Sequence, residues 1–445
     1  MIDKNLPTVD SETLVEVIKN HLKIRRENNM KQDDAFLALM RNMVVHTVDG
    51  NVFVNKFNSD TVEHGELTFG EKKITSKILS TNNNATGKQR MYKFASALGL
   101  GSLIHVPLYH SCMWVTIIPP KQSSILNLVN DINTHIVELA SQTSTFIYSN
   151  YSFAVQQKVV EFILRHIENS TLNVKKDELL NYIDLNDLNI LINGILTSIY
   201  PNGVTLTRYC VNNAKVDSKT GNRLCDFKIS GNVDTRQLVF TDLNAIDEDG
   251  KALMSRRTPN SVSLEEVTQY RNKLKEKVTK ADFTIKSSNG EEIVFKLKPV
   301  TLKEYFEKGQ KWLDYLMSLV TDSFTETTTD SEKNDLMSLM SVSMYLNIYS
   351  SYVELVKHND DIYSSFEDVT GVLELLSSES KSIAGDIFNR ILAFIEDSTI
   401  SIIATPSYTC PQCGEKQNNS ENSFKDLIPL NVIQYFFEIG VRSES

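Results

Sequence analysis

The spacing of apolar side chains changes period several times along this chain, and each change predicts an element. Leu14, Ile18 and Leu22 recur every four positions, the stripe of an amphipathic helix, and a second helix is expected over Asp34 to Met43. The period then drops to two in MVVHTVDGNVFVNKF, where apolar runs flank Asp49-Gly50, a pair that tolerates the positive φ of a tight hairpin turn. STNNNATGKQR, Ser80 to Arg90, is polar and reads as a loop. GSLIHVPLYHSCMWVTIIPP is rich in β-branched and aromatic residues and closes on Pro119-Pro120, which predicts strands. Helical spacing returns with Ile125, Leu128, Ile132, Ile136 and Leu139, and again with Val155, Val159, Phe162, Ile163 and Ile167.

An internal duplication organises the second half. LNILINGILTSIYPNGVTLTRYC, Leu188 to Cys210, runs helix, turn, alternating strand, cysteine, and IFNRILAFIEDSTISIIATPSYTC, Ile387 to Cys410, runs the same way. Both carry Ile-Leu, at Ile195-Leu196 and Ile391-Leu392, and an aromatic residue at or near the position before the cysteine, Tyr209 or Tyr408. A second cysteine follows in each, Cys225 or Cys413, then a polar loop and an apolar run.

Between the copies, Ser263-x-x-Glu266 forms a capping box that opens a helix, Asn289-Gly290 marks a hairpin, and two longer helices are expected. The second of these, over Asp330 to Val356, carries Met340, Met344 and Tyr345 among apolar residues on more than one face, which suits either a core or a surface covered by a partner. The run IPLNVIQYFF, with Tyr435, Phe436 and Phe437, is a candidate partner surface on the same grounds, core being the alternative for both. The expected class is α+β, mainly helical with small antiparallel β elements and two related helix–strand–Cys modules. The expected units are an N-terminal α+β domain over 1–170, a first module over 171–260, a hairpin and helical insert over 261–360 and a second module over 361–445.

The 445 residues carry 46 Lys and Arg against 56 Asp and Glu, a formal charge of −10 that argues against broad contact with phosphate backbones. The five cysteines, Cys112, Cys210, Cys225, Cys410 and Cys413, are too sparse for a secreted disulfide framework, so a reducing cytosol is expected. The first residues are acidic where a signal peptide would be basic, and no window has about 18 uninterrupted apolar residues, so no membrane span is expected.

The cysteines hold the chemistry. Cys410-Pro-Gln-Cys413-Gly has the spacing of a zinc knuckle, whereas Cys210 and Cys225 stand too far apart for one but suit the two arms of a hairpin. One structural zinc on four thiolates would tie the two modules together; the alternative is a ribbon that has lost its metal and keeps small buried side chains. A thioredoxin-like role is disfavoured because Cys413 leads into a loop rather than a helix N-terminus. His110, Ser111 and Cys112 stand side by side, but on a strand His110 and Ser111 would face apart, and a structural histidine is the simpler reading. TDLNAIDEDGK lacks the acid spacing of a calcium loop and reads as a solvated turn. RNKLKEKVTK, Arg271 to Lys280, contains Glu276 and no interleaved aromatics, so it reads as an exposed helix face. No P-loop, dinucleotide fingerprint or His-Glu-x-x-His is present.

On these residues the chain resembles a known family. DLNDLNILINGILTSIYPNGVTLTRYC, and its echo through SYTCPQCGEKQ to DLIPLNVIQYFF, resemble the module of T4-type baseplate hub and hub-assembly proteins of contractile-tailed phages. HVPLYHSCMWVTIIPP looks like an opening strand of larger virion proteins in such phages. The resemblance implies a non-catalytic virion structural protein or tail-assembly factor. Its partners would be other tail or baseplate proteins, met in the host cytoplasm during assembly or retained in the virion tail baseplate. The chain departs from the compact members in its length and in having Cys210 and Cys225 where a Cys-x2-Cys is expected. A function of another class, a zinc-ribbon adaptor of viral transcription or replication, is the alternative; an enzyme built on His110 to Cys112 is a third.

Overall fold

The computed structural model describes strands between residues 44 and 69 and, apart from short breaks, residues 101–143, 153–323 and 349–436. It is an α+β protein whose strand ladders are small and antiparallel. The two helices expected before residue 44 lie outside the described residues, as do Met340, Met344, Tyr345, Tyr435 and Phe437.

The first described strands, β1 (Val44–Val48) and β2 (Asn51–Asn55), pair antiparallel on either side of Asp49-Gly50, where the sequence predicts a hairpin. Short strands β3 (Asn58–Ser59), β4 (Val62–His64) and β5 (Thr68–Phe69) follow. β6 (Ile104–Leu108) and β7 (Met113–Ile117) are buried at every position, which is why their sequence does not alternate, and the two polar side chains they enclose, His105 and Thr116, meet at 3.0 Å. Helices α1 (Gln122–Thr143) and α2 (Phe153–His166) then lead into β8 (Ile167–Ser170), and the sheet order is β5-β6-β7-β8.

Helix α3 (Leu188–Ile199) is central: ten of its twelve residues are buried, with Asn189 exposed. A helix apolar all round has to be enclosed on all sides. Gly194 lets it approach β6, because a Cβ there would stand 2.5 Å from Val106 Cγ2. The polar groups it buries are paired: Asn193 Nδ2 donates to the Thr235 carbonyl at 3.0 Å, and the Thr197 and Thr235 hydroxyls meet at 2.6 Å.

After α3 come β9 (Val204–Tyr209), β10 (Lys228–Val233) and β11 (Val239–Asp242), then α4 (Glu248–Ser255) and α5 (Leu264–Lys277). The expected turn over TDLNAIDEDGK forms at its start, where the Ala245 N–H donates to the Asp242 carbonyl at 3.2 Å. Its second half is a helix start: Asp247 caps α4 by accepting the Gly250 N–H at 2.8 Å, and Glu248 and Asp249 occupy its first turn, where the helix dipole favours acids. The capping box of α5 forms as expected, with the Ser263 N–H donating to Glu266 at 2.9 Å and the Glu266 N–H to Ser263 Oγ at 3.3 Å.

β12 (Phe283–Lys286) and β13 (Glu292–Leu297) make the hairpin at Asn289-Gly290, with Gly290 at φ +84°. They are followed by α6 (Leu302–Ser323), β14 (Val353–His358) and β15 (Asp361–Tyr363), and the sheet order is β12-β13-β14-β15. β14 corrects the end of the helix expected over 330–356. Val353 to Val356 pair with β13, and a turn in which the Tyr352 N–H donates to the Tyr349 carbonyl separates them from the residues before.

The last part runs α7 (Phe366–Glu379), α8 (Lys381–Ser398), β16 (Ser401–Pro406), β17 (Tyr408–Thr409), β18 (Lys416–Gln417) and β19 (Leu427–Pro429). A five-stranded sheet in the order β19-β16-β11-β4-β3 joins the first module to the second. One continuous buried cluster runs from Ile104 to Phe436 and draws residues from all four expected units; Phe436, expected as a partner contact, sits within it at 4% exposure.

Candidate metal centre

The two modules meet because the strand after one knuckle pairs with the strand before the other. β11 follows the β9–β10 hairpin and lies antiparallel to β16, with Val239 opposite Ile403 and Thr241 opposite Ser401. β16 leads directly into β17. Arg208 at the end of β9 adds a tie, its Nη2 donating to the Ile428 and Pro429 carbonyls at 3.2 and 3.3 Å.

Each cysteine pair sits at the tip of a hairpin, and the two tips are built alike. Cys210 directly follows β9 and Cys225 stands three residues before Lys228, the cross-strand partner of Tyr209. Cys410 directly follows β17 and Cys413 stands three residues before Lys416, the partner of Thr409. The Cys210 N–H donates to the Phe227 carbonyl at 3.0 Å; its counterpart, the Cys410 N–H, donates to the Glu415 carbonyl at 2.9 Å. A turn follows each first cysteine, the Asn213 N–H donating to the Cys210 carbonyl and the Gly414 N–H to the Cys410 carbonyl, both at 2.8 Å. Gly414 takes φ +73°, a conformation that favours glycine. The long spacing between Cys210 and Cys225 is therefore an excursion within a knuckle, closed at its neck where the Leu224 N–H donates to the Lys215 carbonyl at 2.9 Å.

These hairpins bring all four sulfurs within 4.8 Å of one another, a set able to hold a metal ion. Cys210 Sγ lies 3.5 Å from Cys413 Sγ, and Cys225 Sγ lies 3.7 Å from Cys410 Sγ. A zinc ion with sulfurs at about 2.3 Å spaces them about 3.8 Å apart along the edges of its tetrahedron, so the closest separations match ligation. Cys210, Cys225 and Cys410 are buried and packed with Phe227, while Cys413 is exposed.

The thiols differ in how readily they ionise. Burial pushes the Cys410 thiol up to about 12 and raises Cys210 as well. Burial also opposes ionisation of Cys413, but hydrogen bonds from the Glu415 backbone, the Cys210 and Cys410 thiols and the Asn212 amide outweigh it and bring Cys413 down to about 7. Ionisation is thus favoured at Cys413 and opposed at Cys210 and Cys410. A divalent cation removes that opposition by neutralising the charge the thiols share. N–H groups also face the sulfurs: the Asn212 backbone donates to Cys210 Sγ at 3.4 Å and its side-chain amide to Cys413 Sγ at 3.6 Å.

A second polar cluster locks the modules at their other end, and residue-by-residue reading of the sequence missed it. Tyr109 to Cys112 form the turn between β6 and β7, not a strand, so His110 and Ser111 converge instead of facing apart. Both reach the Asp187 carboxylate at the start of α3: His110 Nδ1 at 2.7 Å, the Ser111 N–H at 2.9 Å and Ser111 Oγ at 2.5 Å. His110 Nε2 accepts the Ile400 N–H at 2.7 Å, which places the imidazole proton on Nδ1. Ser111 Oγ accepts the Asp184 N–H at 2.8 Å. His110, Ser111 and Asp187 are 3% exposed or less, so these groups are spent on joining α3 to the α8–β16 corner. Cys112 is buried beside them in the left-handed region, at φ 51°.

Compared with protein-family models, curated proteins and solved structures, the chain matches none. Among the described residues, no helix is long and apolar enough to cross a membrane.

Proposed function

We propose that this is a non-catalytic structural protein in which one zinc ion, held by Cys210, Cys225, Cys410 and Cys413, clamps two helix–strand–Cys modules into one rigid body. The observation that carries the reading is the equivalence of the two hairpin tips, which offer four thiols at ligand spacing from opposite sides. An all-sulfur set without an open position belongs to structural rather than catalytic zinc. The burial of His110, Ser111 and Cys112 supports the same reading, because that run of nucleophile-like neighbours is withdrawn from substrate.

The setting we infer from the sequence resemblance is the tail baseplate hub of a contractile-tailed phage, where the chain acts as a hub subunit or hub assembly factor by contact with other tail or baseplate proteins. Quantitative mass spectrometry of purified particles beside the lysate they came from tests this. A fixed few copies per particle supports a subunit, abundance in the lysate alone supports an assembly factor, and absence of the chain from phage-producing cells contradicts both. The two facing knuckles also suit a zinc-ribbon adaptor of viral transcription or replication. Salt-dependent binding to DNA would favour that role over the hub.

A further inference from the structure

Three of the four sulfurs are enclosed, whereas Cys413 meets solvent and has the Asn212 amide directed at it. Its sulfur lies 3.5 Å from that of Cys210, a cysteine of the other knuckle, 203 residues distant in the chain. Cys410 is paired instead with Cys225 at 3.7 Å, and its backbone is held in the knuckle turn at both N–H and carbonyl. An exposed cysteine sulfur within reach of an enclosed one is the arrangement in which a two-electron oxidant makes a disulfide rather than a dead-end oxide.

We propose that Cys210 and Cys413 form an oxidative modification site, at which a peroxide converts the pair to a disulfide across the two knuckles and expels the metal. The metal release rests on the zinc reading above; the disulfide does not. In the first step the Cys413 thiolate attacks the peroxide, an S–O bond forms as the O–O bond breaks, and the departing hydroxide takes up a proton as water. In the second, the Cys210 sulfur attacks the sulfenic sulfur, an S–S bond forms as the S–O bond breaks, and a second water leaves. Two electrons pass from the two sulfurs to the peroxide. The sulfurs have to close from 3.5 Å to about 2.05 Å, a movement available to the exposed Cys413 side chain. Cys225 and Cys410 remain as two thiols, too few to hold a structural zinc. The modules stay tied, now covalently.

The test uses the full-length, zinc-loaded protein treated with equimolar hydrogen peroxide, blocked with N-ethylmaleimide and digested with trypsin without reductant. Cleavage at Arg208 and Lys215 isolates Cys210, cleavage at Arg390 and Lys416 releases the peptide holding Cys410 and Cys413, and fragmentation spectra locate the link. The expected result is a Cys210 to Cys413 link, one zinc released per link, and release of two free thiols per link by dithiothreitol after the block; Cys413→Ser abolishes the link. A Cys410 to Cys413 link, sulfinate on Cys413 without a link, or four thiols that remain alkylatable would each overturn the proposal. Failure of the zinc reading shows separately, as reduced protein without bound metal, and the link is then scored on the metal-free protein.

Discussion

Cys225 and Cys410 lie 185 residues apart in the chain and 3.7 Å apart at their sulfurs. No local preference produces that contact. It follows from the antiparallel pairing of β11 with β16, which aligns the hairpin behind one strand with the hairpin ahead of the other.

If the first tip is a knuckle with an excursion, the excursion is dispensable for metal binding. Deleting Asn213 to Leu224 leaves Cys-Val-Asn-Cys, and Asp226→Gly supplies the glycine that Gly414 provides in the other tip. This shortened protein is expected to bind as much zinc as the parent, read by metal analysis after gel filtration. Loss of the metal with the fold retained would show that the two tips are not equivalent.

The His110 cluster makes a stability prediction independent of metal. His110→Ala leaves the Ile400 N–H without its acceptor and deprives the buried Asp187 carboxylate of a donor. A hydrogen bond to a charged group contributes about 1.5–3 kcal/mol, and a buried donor left without its acceptor costs about 1–3 kcal/mol. A denaturant midpoint lowered to that extent, with zinc content unchanged, is expected; a change below about 1 kcal/mol, the scale of one ordinary hydrogen bond, would demote the cluster to a bystander.

A pH dependence follows at the α5 cap. The Ser263 N–H, the Arg256 guanidinium and the Ser263 hydroxyl hold Glu266 down at about 2, below the ordinary 4.5 of an unfolded chain. A depressed carboxyl stabilises the fold above its unfolded pKa, and that contribution is lost as pH falls through the window from 4.5 to about 2. Glu266→Gln is therefore expected to lower the melting temperature near neutrality, and the gap between variant and parent should close across that window. A gap that stays constant with pH would assign the effect to shape rather than charge. Ser263→Ala, which removes the cap itself, is expected to cost about 1 kcal/mol.

Much of this was legible in the sequence where local chemistry decides the outcome. The β1–β2 and β12–β13 hairpins form where Asp-Gly and Asn-Gly stand between apolar runs, with Gly290 at a positive φ, and Ser263 with Glu266 starts a helix because each satisfies the other's backbone N–H. The four cysteines could be grouped from the repeated order of elements around them. What the sequence did not reveal depends on tertiary contact. Val353 to His358 continue an apolar run without a glycine or proline to mark the change, so strand and helix look alike there until β13 supplies a partner. His110 and Ser111 seemed to face apart because a turn inside an apolar run gives no periodic signal, and Ile400, their link to the second module, lies 290 residues from His110. Asp247 did carry a readable cue, an N-cap followed by two acids, masked by the surrounding acidic composition.

Metal analysis of purified protein, expressed in zinc-replete medium and kept reduced, tests the central claim most directly. Apparent binding energies of about 10–16 kcal/mol in small structural zinc sites mean that a real clamp keeps its ion through chromatography. About one zinc per chain is expected, with the ion lost and the melting temperature lowered in Cys410→Ser. A folded, metal-free parent whose melting temperature is unmoved by Cys410→Ser would contradict the clamp.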